Sequence, residues 1–454
     1  MKRRVWLAVA GGVTVVVAVT LLALPGGPEW TSSSPEAVRE FEAGIEAQMK
    51  VYHDEAARHF ERALELDPGF VMARLMLPEV ASGKDIARGD ELLAELADVD
   101  GSQLSPRERL LLERFRLARA GRVDEVDALV DAYLRRHPSD PFVLHMKSIR
   151  LWQLGELEQA EQLSRHLAEV APNWVIAYNQ LGYITMMGER FAEAREYFVS
   201  YRFIAPDQAN PHDSLGELHL VQGEYDAALA SFRKALAIKE DFLPSWEHQV
   251  LALVVMGRDD EVEEVLADLE TRQLGPPGWL LGLRCFVDSE RLLRHGRYAE
   301  LIARVGGPCL AKPWHDYTTT ATHLAAVRLG DLELAESLEG GLRAMLDQQA
   351  APPSSAKQLW AREVEGGLAH MTGVRLAATA DLEAAARSLL EADERLLYNS
   401  AGQGLFKTFN RLLAVQVLRS AGREDKAEEL LARARSVNPV LVAELERTGL
   451  DILR

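Results

Sequence analysis

The sequence predicts an all-α fold, an α-solenoid of antiparallel helix pairs preceded by one transmembrane helix. Three observations predict it. Ala, Leu, Glu and Arg dominate the chain while β-branched and aromatic runs are scarce after residue 20, which favours helices over strands. Glycines and prolines return at a spacing of 34 residues, as in a repeat array. A basic N-terminus is followed by a long uncharged stretch.

The size and charge of the chain limit the classes of function. It has 454 residues, 48% of them hydrophobic, and a formal net charge of −18. This length exceeds one compact core of ordinary size, so several domains or a repeat array are expected. The negative charge argues against nucleic acid partners, because phosphate binding needs clustered Lys and Arg. An acidic surface favours basic partners instead.

The N-terminal residues predict a membrane anchor. Lys2 to Arg4 precede the uncharged stretch Val5–Leu24, and twenty helical residues span about 30 Å, the thickness of a bilayer's hydrocarbon layer. We expect residues 1–29 to form an uncleaved signal-anchor, with a cleaved signal and secretion as the alternative. The basic residues are expected to stay in the cytoplasm, which places the repeats in the periplasm or otherwise outside the cytoplasm. A short flexible stem, residues 30–36, would follow.

A repeat of 34 residues runs through much of the chain. Small residues, with phenylalanine and proline in several units, return in the same order in segments 37–70, 141–174, 175–208 and 209–242. The recurring positions include Gly44, Ala56, Phe60 and Pro68, then Ser148, Gly155, Ala160 and Pro172, then Gly182, Ala194, Phe198 and Pro206, then Gly216, Gly223, Ala228 and Phe232.

This pattern resembles the tetratricopeptide repeat family. The resemblance covers residues 37–269 and a further copy at 408–439, with a longer, degenerate unit at 71–106. Between 270 and 407 the phase slips, although amphipathic helices continue. The resemblance implies helix hairpins stacked into a right-handed superhelix. We therefore expect a regular array over 37–270 and a less regular one over 271–454, ending with a repeat at 408–441.

The recurring small residues predict how each hairpin packs. Gly182 on the first helix is expected to face Ala194 on the second, so that the two backbones approach closely. Phe198 would then fill the space against the following unit. Gly155 permits the turn between helices, and Pro172 ends the second helix because it lacks an N–H.

Residues with catalytic or metal-binding chemistry are sparse in the sequence. Cys285 and Cys309 either form one disulfide or are two small buried hydrophobes. His212 and His219 lie seven apart with Glu217 between them, and could hold a metal, although ordinary surface residues are the alternative. A carboxylate pair in a closed helical toroid could hydrolyse glycosides. The regular 34-residue step argues against such a toroid, so we expect no enzyme and no cofactor.

The resemblance also implies a binding surface, because the first helix of each unit lines the concave side in this family. Aromatic side chains and Met in such a groove suit an extended or helical peptide; the alternative is that they pack against neighbouring helices. The family's clamp for a C-terminal carboxylate, built of Lys, Arg and Asn, is absent. The candidate groove residues are Phe142, His145, Ile149, Trp152, Ile176, Asn179, Tyr183, Met186, Asp213 and Glu217, with Asn210 and Leu220 beside the last two.

The sequence thus predicts a scaffold or adaptor that binds proteins or peptides from a membrane anchor. The runs 33–68 and 105–141 also resemble the extracytoplasmic repeat arrays of bacterial receptor-type kinases and membrane-bound regulators. That likeness implies an alternative, a sensory module acting through a partner kinase or regulator, with a small-molecule pocket near Val305–Trp314. A secreted glycoside hydrolase is the remaining alternative.

Overall fold

A computed structural model describes residues 30–80, 86–276, 278–305, 309, 316–349 and 358–448. Within these ranges the chain forms 23 α-helices and no strand, which confirms the all-α prediction. The first fourteen helices are α1 (Pro35–Met49), α2 (His53–Leu66), α3 (Val71–Val80), α4 (Ile86–Glu95), α5 (Pro106–Arg119), α6 (Val123–Leu134), α7 (Pro141–Gln153), α8 (Leu157–Val170), α9 (Ile176–Met187), α10 (Phe191–Ile204), α11 (Ala209–Val221), α12 (Tyr225–Ile238), α13 (Leu243–Val255) and α14 (Asp259–Arg272). The others are α15 (Trp279–Arg294), α16 (Tyr298–Val305), α17 (Asp316–Leu329), α18 (Leu332–Gln349), α19 (Gln358–Ala378), α20 (Leu382–Arg395), α21 (Ala401–Ser420), α22 (Glu424–Val437) and α23 (Pro439–Thr448).

The predicted anchor, residues 5–24, lies outside the described residues. Across the ranges that are described, no helix combines the length and the apolar character that crossing a bilayer requires. This finding corrects the predicted localisation, a single-pass membrane protein with its repeats outside the cytoplasm, which the structure does not support.

The residues before α1 are held in place by specific contacts. Trp30 is buried with its ring centroid 4.8 Å from that of Phe41. The Asp67 carboxylate accepts hydrogen bonds from Ser32 Oγ (2.5 Å) and from the Ser33 amide (2.8 Å). Ser34 then caps α1 by accepting a hydrogen bond from the Ala37 amide. The stem predicted to be flexible is therefore pinned to the first hairpins from residue 30 onward.

The hairpins from α7 to α14 follow the predicted period. Their first helices begin at Pro141, Ile176, Ala209 and Leu243, close to the predicted 34-residue step. The turn glycines adopt the left-handed backbone conformation, with φ of +77° at Gly155, which glycine adopts without steric cost.

Three hairpins, α1–α2, α9–α10 and α11–α12, are packed around a glycine and a phenylalanine sixteen residues later. A Cβ atom on Gly216 would lie 2.5 Å from Phe232 Cε1, and Gly44 meets Phe60 at the same distance. Gly182 is opposed by Phe198 in the same way. The atoms nearest to a Cβ on Gly182 belong to the Phe198 ring, so this ring fills space within its own hairpin, and it shares a buried cluster with Ala194 and with Leu215 of the following unit.

The C-terminal region from α15 onward departs from this regularity. The helices α19 and α21 are 21 and 20 residues long, against 12 for α9. A hairpin of the regular type nevertheless recurs there, because a Cβ on Gly373 would lie 2.7 Å from Leu389 Cγ, again sixteen residues later. Although the 34-residue phase is lost between residues 270 and 407, α19 and α20 therefore form a further hairpin of the regular type.

A disulfide joins Cys285 to Cys309. Both side chains are buried, in a small cluster with Leu292, Leu301 and Ala325. This settles the alternatives left open by the sequence in favour of a bridge, which connects α15 to the residues between α16 and α17.

The chain folds back so that its later helices cover its earlier ones. The Ala209 amide donates to Tyr52 Oη at 2.9 Å, which brings the first hairpin against α11. Helix α19 contacts α7, and α21 contacts α11. We call the concave sides of α7, α9, α11 and α13 the inner face, and residues 396–442 the covering segment. The inner face is therefore not an open groove along its whole length, because the C-terminal end of α9, together with α11 and α13, is covered by the same chain.

Candidate functional site

The predicted groove residues divide into a half-exposed group and a buried group. On α7 and α9 most candidates keep part of their surface exposed, whereas Met186 and the two acidic candidates on α11 are buried. The half-exposed group is Phe142, His145, Ile149, Trp152, Ile176, Asn179 and Tyr183; the buried group is Met186, Asp213 and Glu217. The structure brings neighbouring members together but does not leave all of them free for a partner.

Helices α7 and α9 are joined by polar and aromatic contacts. Ser148 Oγ donates to Gln180 Oε1 at 2.8 Å, and the rings of Trp152 and Tyr183 stack with centroids 6.2 Å apart. Trp152 Nε1 and Gln180 Nε2 are both buried, and neither finds a hydrogen-bond acceptor in the described part of the chain. Two donor groups on adjacent inner helices are therefore left unsatisfied, which is uncommon for buried polar atoms.

His145 lies one turn before Ile149 on the same side of α7. Its ring centroid is 6.2 Å from that of Trp174, and its Nδ1 is buried without a hydrogen-bond partner among the described residues. Burial lowers the pKa of His145 to about 4, so the imidazole is neutral at physiological pH. Phe142 instead belongs to the N-terminal core, with its ring centroid 5.8 Å from that of Trp30.

A buried charged cluster links α9, α11 and α13. His248 on α13 places Nδ1 at 3.1 Å from Asp213 Oδ1 and Nε2 at 3.4 Å from Glu217 Oε2. Ser245 Oγ donates to Asp213 at 2.6 Å, and the Tyr183 hydroxyl donates to Glu217. Burial opposes the imidazolium, but Asp213 and Glu217 outweigh it and raise the pKa of His248 to about 10. A cationic imidazole thus bridges two carboxylates at neutral pH.

This cluster is also the place where a metal ion could be held. Ligand atoms of Asp213, Glu217 and His248 all lie within 4.8 Å of one another. However, the two carboxylates face different nitrogens of the ring, which is the geometry of a bridging imidazolium and not of one ion chelated by all three. The metal ligands predicted from the sequence, His212 and His219 with Glu217, are not brought together. His212 faces the Pro206 carbonyl, and His219 faces Glu224.

The covering segment closes over this cluster. The amide of Ala401, the first residue of α21, donates to Glu217 Oε2 at 2.6 Å. A Cβ on Gly404 would lie 2.7 Å from Val221 Cγ2, so the two helices are in direct contact. Tyr398 is fully buried, with its ring centroid 5.2 Å from that of Phe191. The carboxylates Asp213 and Glu217 therefore lie beneath α21 and not in an open cleft of the kind expected for a glycosidase.

A second charged contact joins the two halves of the chain and was not anticipated from the sequence. Glu189, in the turn after α9, lies 2.5 Å from Arg411 and 3.4 Å from Lys407. Arg433 Nη2 approaches the same Glu189 oxygen at 3.2 Å. Burial raises the pKa of Glu189, but the hydrogen bond and charge of Arg411 outweigh it and lower the pKa below its ordinary value. One signal could have revealed this site: residue 189 lies midway between Gly155 and Gly223 in the 34-residue series, yet is not glycine.

The small-molecule pocket predicted near Val305–Trp314 falls largely on residues 306–308 and 310–314, which lie outside the described residues.

Comparison with known proteins supports the repeat assignment. Residues 212–242 match the family model described as Tetratricopeptide repeat. The human Cell division cycle protein 16 homolog is 26% identical over 113 residues, which cover 23% of this chain and 18% of that protein. The TPR repeat-containing protein PA4667 of Pseudomonas aeruginosa is 26% identical over 186 residues, which cover 40% of this chain and 31% of that protein. The chain thus spans a minor part of each relative's length.

Among crystal structures, the APC/C hetero-tetramer Cut9-Hcn1 is similar over 91% of this chain and 76% of that chain, with 13% identity and a TM-score of 0.39. At this score the likeness carries no argument. A tetratricopeptide repeat is thus shown for residues 212–242, which span α11 and α12, and helix hairpins of similar length lie on both sides of it.

Proposed function

We propose that this protein is a protein–protein interaction scaffold that binds a peptide segment of its partner on the inner face of α7 and α9. The observation that carries this proposal is the aromatic and apolar surface of α7 and α9, where the Trp152 and Tyr183 rings stack with centroids 6.2 Å apart and keep part of their surface exposed. Partly exposed aromatic side chains on a concave surface are suitable anchors for a partner.

A concave surface of aromatic and apolar side chains suits an extended or helical peptide. The surrounding side chains supply apolar contact area, with the Trp152 and Tyr183 rings as the largest anchors. This surface continues along α7 and α9 through His145, Ile149, Ile176 and Asn179. Phe142 supports it from the N-terminal core. The buried candidates Met186, Asp213 and Glu217 lie beneath the covering segment. They support the surface from below and do not contact the peptide.

Site-specific photocrosslinking tests this proposal. A photoreactive amino acid at Ile149, between His145 and Trp152 on α7, is expected to form an adduct with a partner protein in the native cell. The matched control is the same residue at Phe203, whose side chain is 84% exposed at the end of α10. The partner identified at Ile149 is then purified, and its affinity for the wild-type chain and for the Ile149→Arg variant is measured.

We expect an adduct from position 149 that is absent from position 203, and at least a tenfold weaker affinity for Ile149→Arg. The same adducts from both positions, or an unchanged affinity, would contradict a binding site on the inner face.

A further inference from the structure

A groove lies between α12 and α14, the second helices of two successive hairpins, with α13 as its floor. Its volume is about 310 Å³, within the range of about 300–1,000 Å³ that ligand sites occupy. The described residues that line it all belong to these three helices, so it does not overlap the surface of α7 and α9. We call it the α12–α14 groove, and its lining includes Leu236, Trp246, Gln249, Glu264, Val265 and Asp268.

The floor of the groove contains an aromatic ring with a fixed orientation. Trp246 is only 7% exposed, and its Nε1 donates to the Glu240 carbonyl at 2.9 Å. The guanidinium of Arg272 lies 5.8 Å from the Trp246 ring centroid, within reach of a cation–π contact. Leu236 from α12 and Val265 from α14 pack against the same buried cluster and keep part of their surface exposed. The groove therefore offers a preformed apolar seat for a side chain of a partner.

A buried polar side chain lies beside this apolar seat. Gln249, three residues after Trp246 on α13, lines the groove and is 6% exposed. Its side-chain amide forms no hydrogen bond with the part of the chain that the structure describes. An amide carries both a donor and an acceptor. Both remain available at the base of the groove, and the backbone of an extended peptide offers the complementary pair.

The α14 side of the groove is acidic. Towards one end Asp268 holds Arg272 at 2.8 Å, and towards the other Glu261 faces Arg233 of α12 at 3.4 Å. Glu264 lies between these two acidic residues in the sequence, is exposed, and has no cationic partner within the described ranges. The rim therefore keeps one carboxylate available for a basic group, on a chain whose net charge is −18.

We propose that the α12–α14 groove is a second binding site, which takes an extended segment of a partner protein that carries an apolar side chain beside a lysine or arginine. The apolar side chain packs on Trp246, the backbone pairs with the Gln249 amide, and the basic side chain pairs with Glu264. An acidic segment is disfavoured, because like charges at an interface repel. This site goes beyond the proposed function, since it lies on other helices and binds a different segment.

Selection from a phage-displayed library of random peptides tests this inference. The immobilised target is the full chain, and peptides that also bind the Val265→Arg variant are removed, because arginine at this wall position fills the groove. Selected peptides are synthesised with a fluorescent label, and their Kd for each variant is measured by fluorescence anisotropy. The decisive variant is Glu264→Lys, whose exposed position preserves the fold even if Val265→Arg does not. The matched control is Glu196→Lys, at an exposed position of α10 without an ion pair in the described residues.

We expect the selected peptides to share an apolar residue next to lysine or arginine. Their affinity for Glu264→Lys should be at least about fivefold weaker than for wild type, because an attraction becomes a repulsion. Replacing the basic residue of the peptide by glutamate should restore binding to Glu264→Lys. Glu196→Lys and Ile149→Arg should bind the peptides as wild type does.

Three results would overturn the inference. The first is a selection that enriches no peptide with this pattern, and the second is equal affinity of the peptides for Glu264→Lys and wild type. Loss of binding in Ile149→Arg alone would place the peptides on α7 and α9 instead. The third is dimerisation of the wild-type chain that Val265→Arg abolishes, which would assign the groove to a second copy of this chain.

Discussion

The packing inside the regular hairpins differs from the packing of the covering segment. Inside the α9–α10 and α11–α12 hairpins, the closest contacts join a glycine to a phenylalanine. In α21 the buried residues include Lys407, Asn410 and Arg411, each bonded to a specific acceptor. Shape complementarity between a small and an aromatic residue is sufficient for a hairpin contact that recurs every 34 residues. Helix α21 docks at a single place on the array, and buried charged groups make that place specific, although burying them costs desolvation free energy.

The largest expected effect comes from removing a charge of the covering segment. Arg411→Met leaves Asp393 and Glu189 without their shared partner, and breaking a buried ion pair from one side costs about 3–5 kcal/mol. The free energy of unfolding, measured in urea, is expected to fall by about that amount. The control is Arg423→Met, because Arg423 is half-exposed and its distance to Glu383 is 3.4 Å; exposed pairs contribute at most about 1 kcal/mol. Equal losses in the two variants would show that Arg411 is not the centre of the contact.

A second effect depends on pH and concerns Glu339, a buried carboxylate of α18, which lies outside both the regular hairpins and the covering segment. Burial alone would raise the pKa of Glu339, but the hydrogen bonds from His323 and Arg375 outweigh it and lower the pKa to about 2. Because the ordinary value is 4.5, the stability from this carboxylate is present above pH 4.5 and is lost as the pH falls towards 2. The loss is about 3 kcal/mol at 1.36 kcal/mol per pKa unit.

Glu339→Gln is expected to be less stable at pH 6 and to lose part of this acid dependence between pH 4.5 and 2, as measured by urea unfolding at each pH. The matched control is Glu333→Gln, since Glu333 is an exposed residue of the same helix. An acid dependence of Glu339→Gln as steep as that of wild type would assign the effect to other carboxylates.

The smallest effect compares a glycine of a regular hairpin, Gly216, with a glycine of α18, Gly340. Gly216→Ala is expected to destabilise the protein by about 1–3 kcal/mol, because the new methyl group would overlap the Phe232 ring and overpacking has this cost. Gly340→Ala in α18 is expected to stabilise it by up to about 1 kcal/mol, since its Cβ would meet open space and alanine favours helix. Thermal denaturation would show opposite shifts in Tm. Shifts of the same sign would contradict the glycine–phenylalanine packing of the regular hairpins.

Much of the fold could be predicted from the sequence, but less of the site. The order of small and aromatic residues predicted the hairpins, because helix pairing depends on neighbours that are close in sequence. The same pattern did not show that the Phe198 ring is the nearest neighbour of Gly182, since spacing shows which residues recur and not which side chains meet. His248 was missed because its partners Asp213 and Glu217 lie on another first helix, one repeat earlier.

The sequence by itself determined the repeating helix hairpins and the residues that line their first helices, because these depend on local periodicity and on backbone preferences at glycine and proline. Only the tertiary structure decided that the later helices cover the inner face. That outcome depends on contacts such as Glu189 with Arg411, which are separated by more than two hundred residues and which no local pattern can pair.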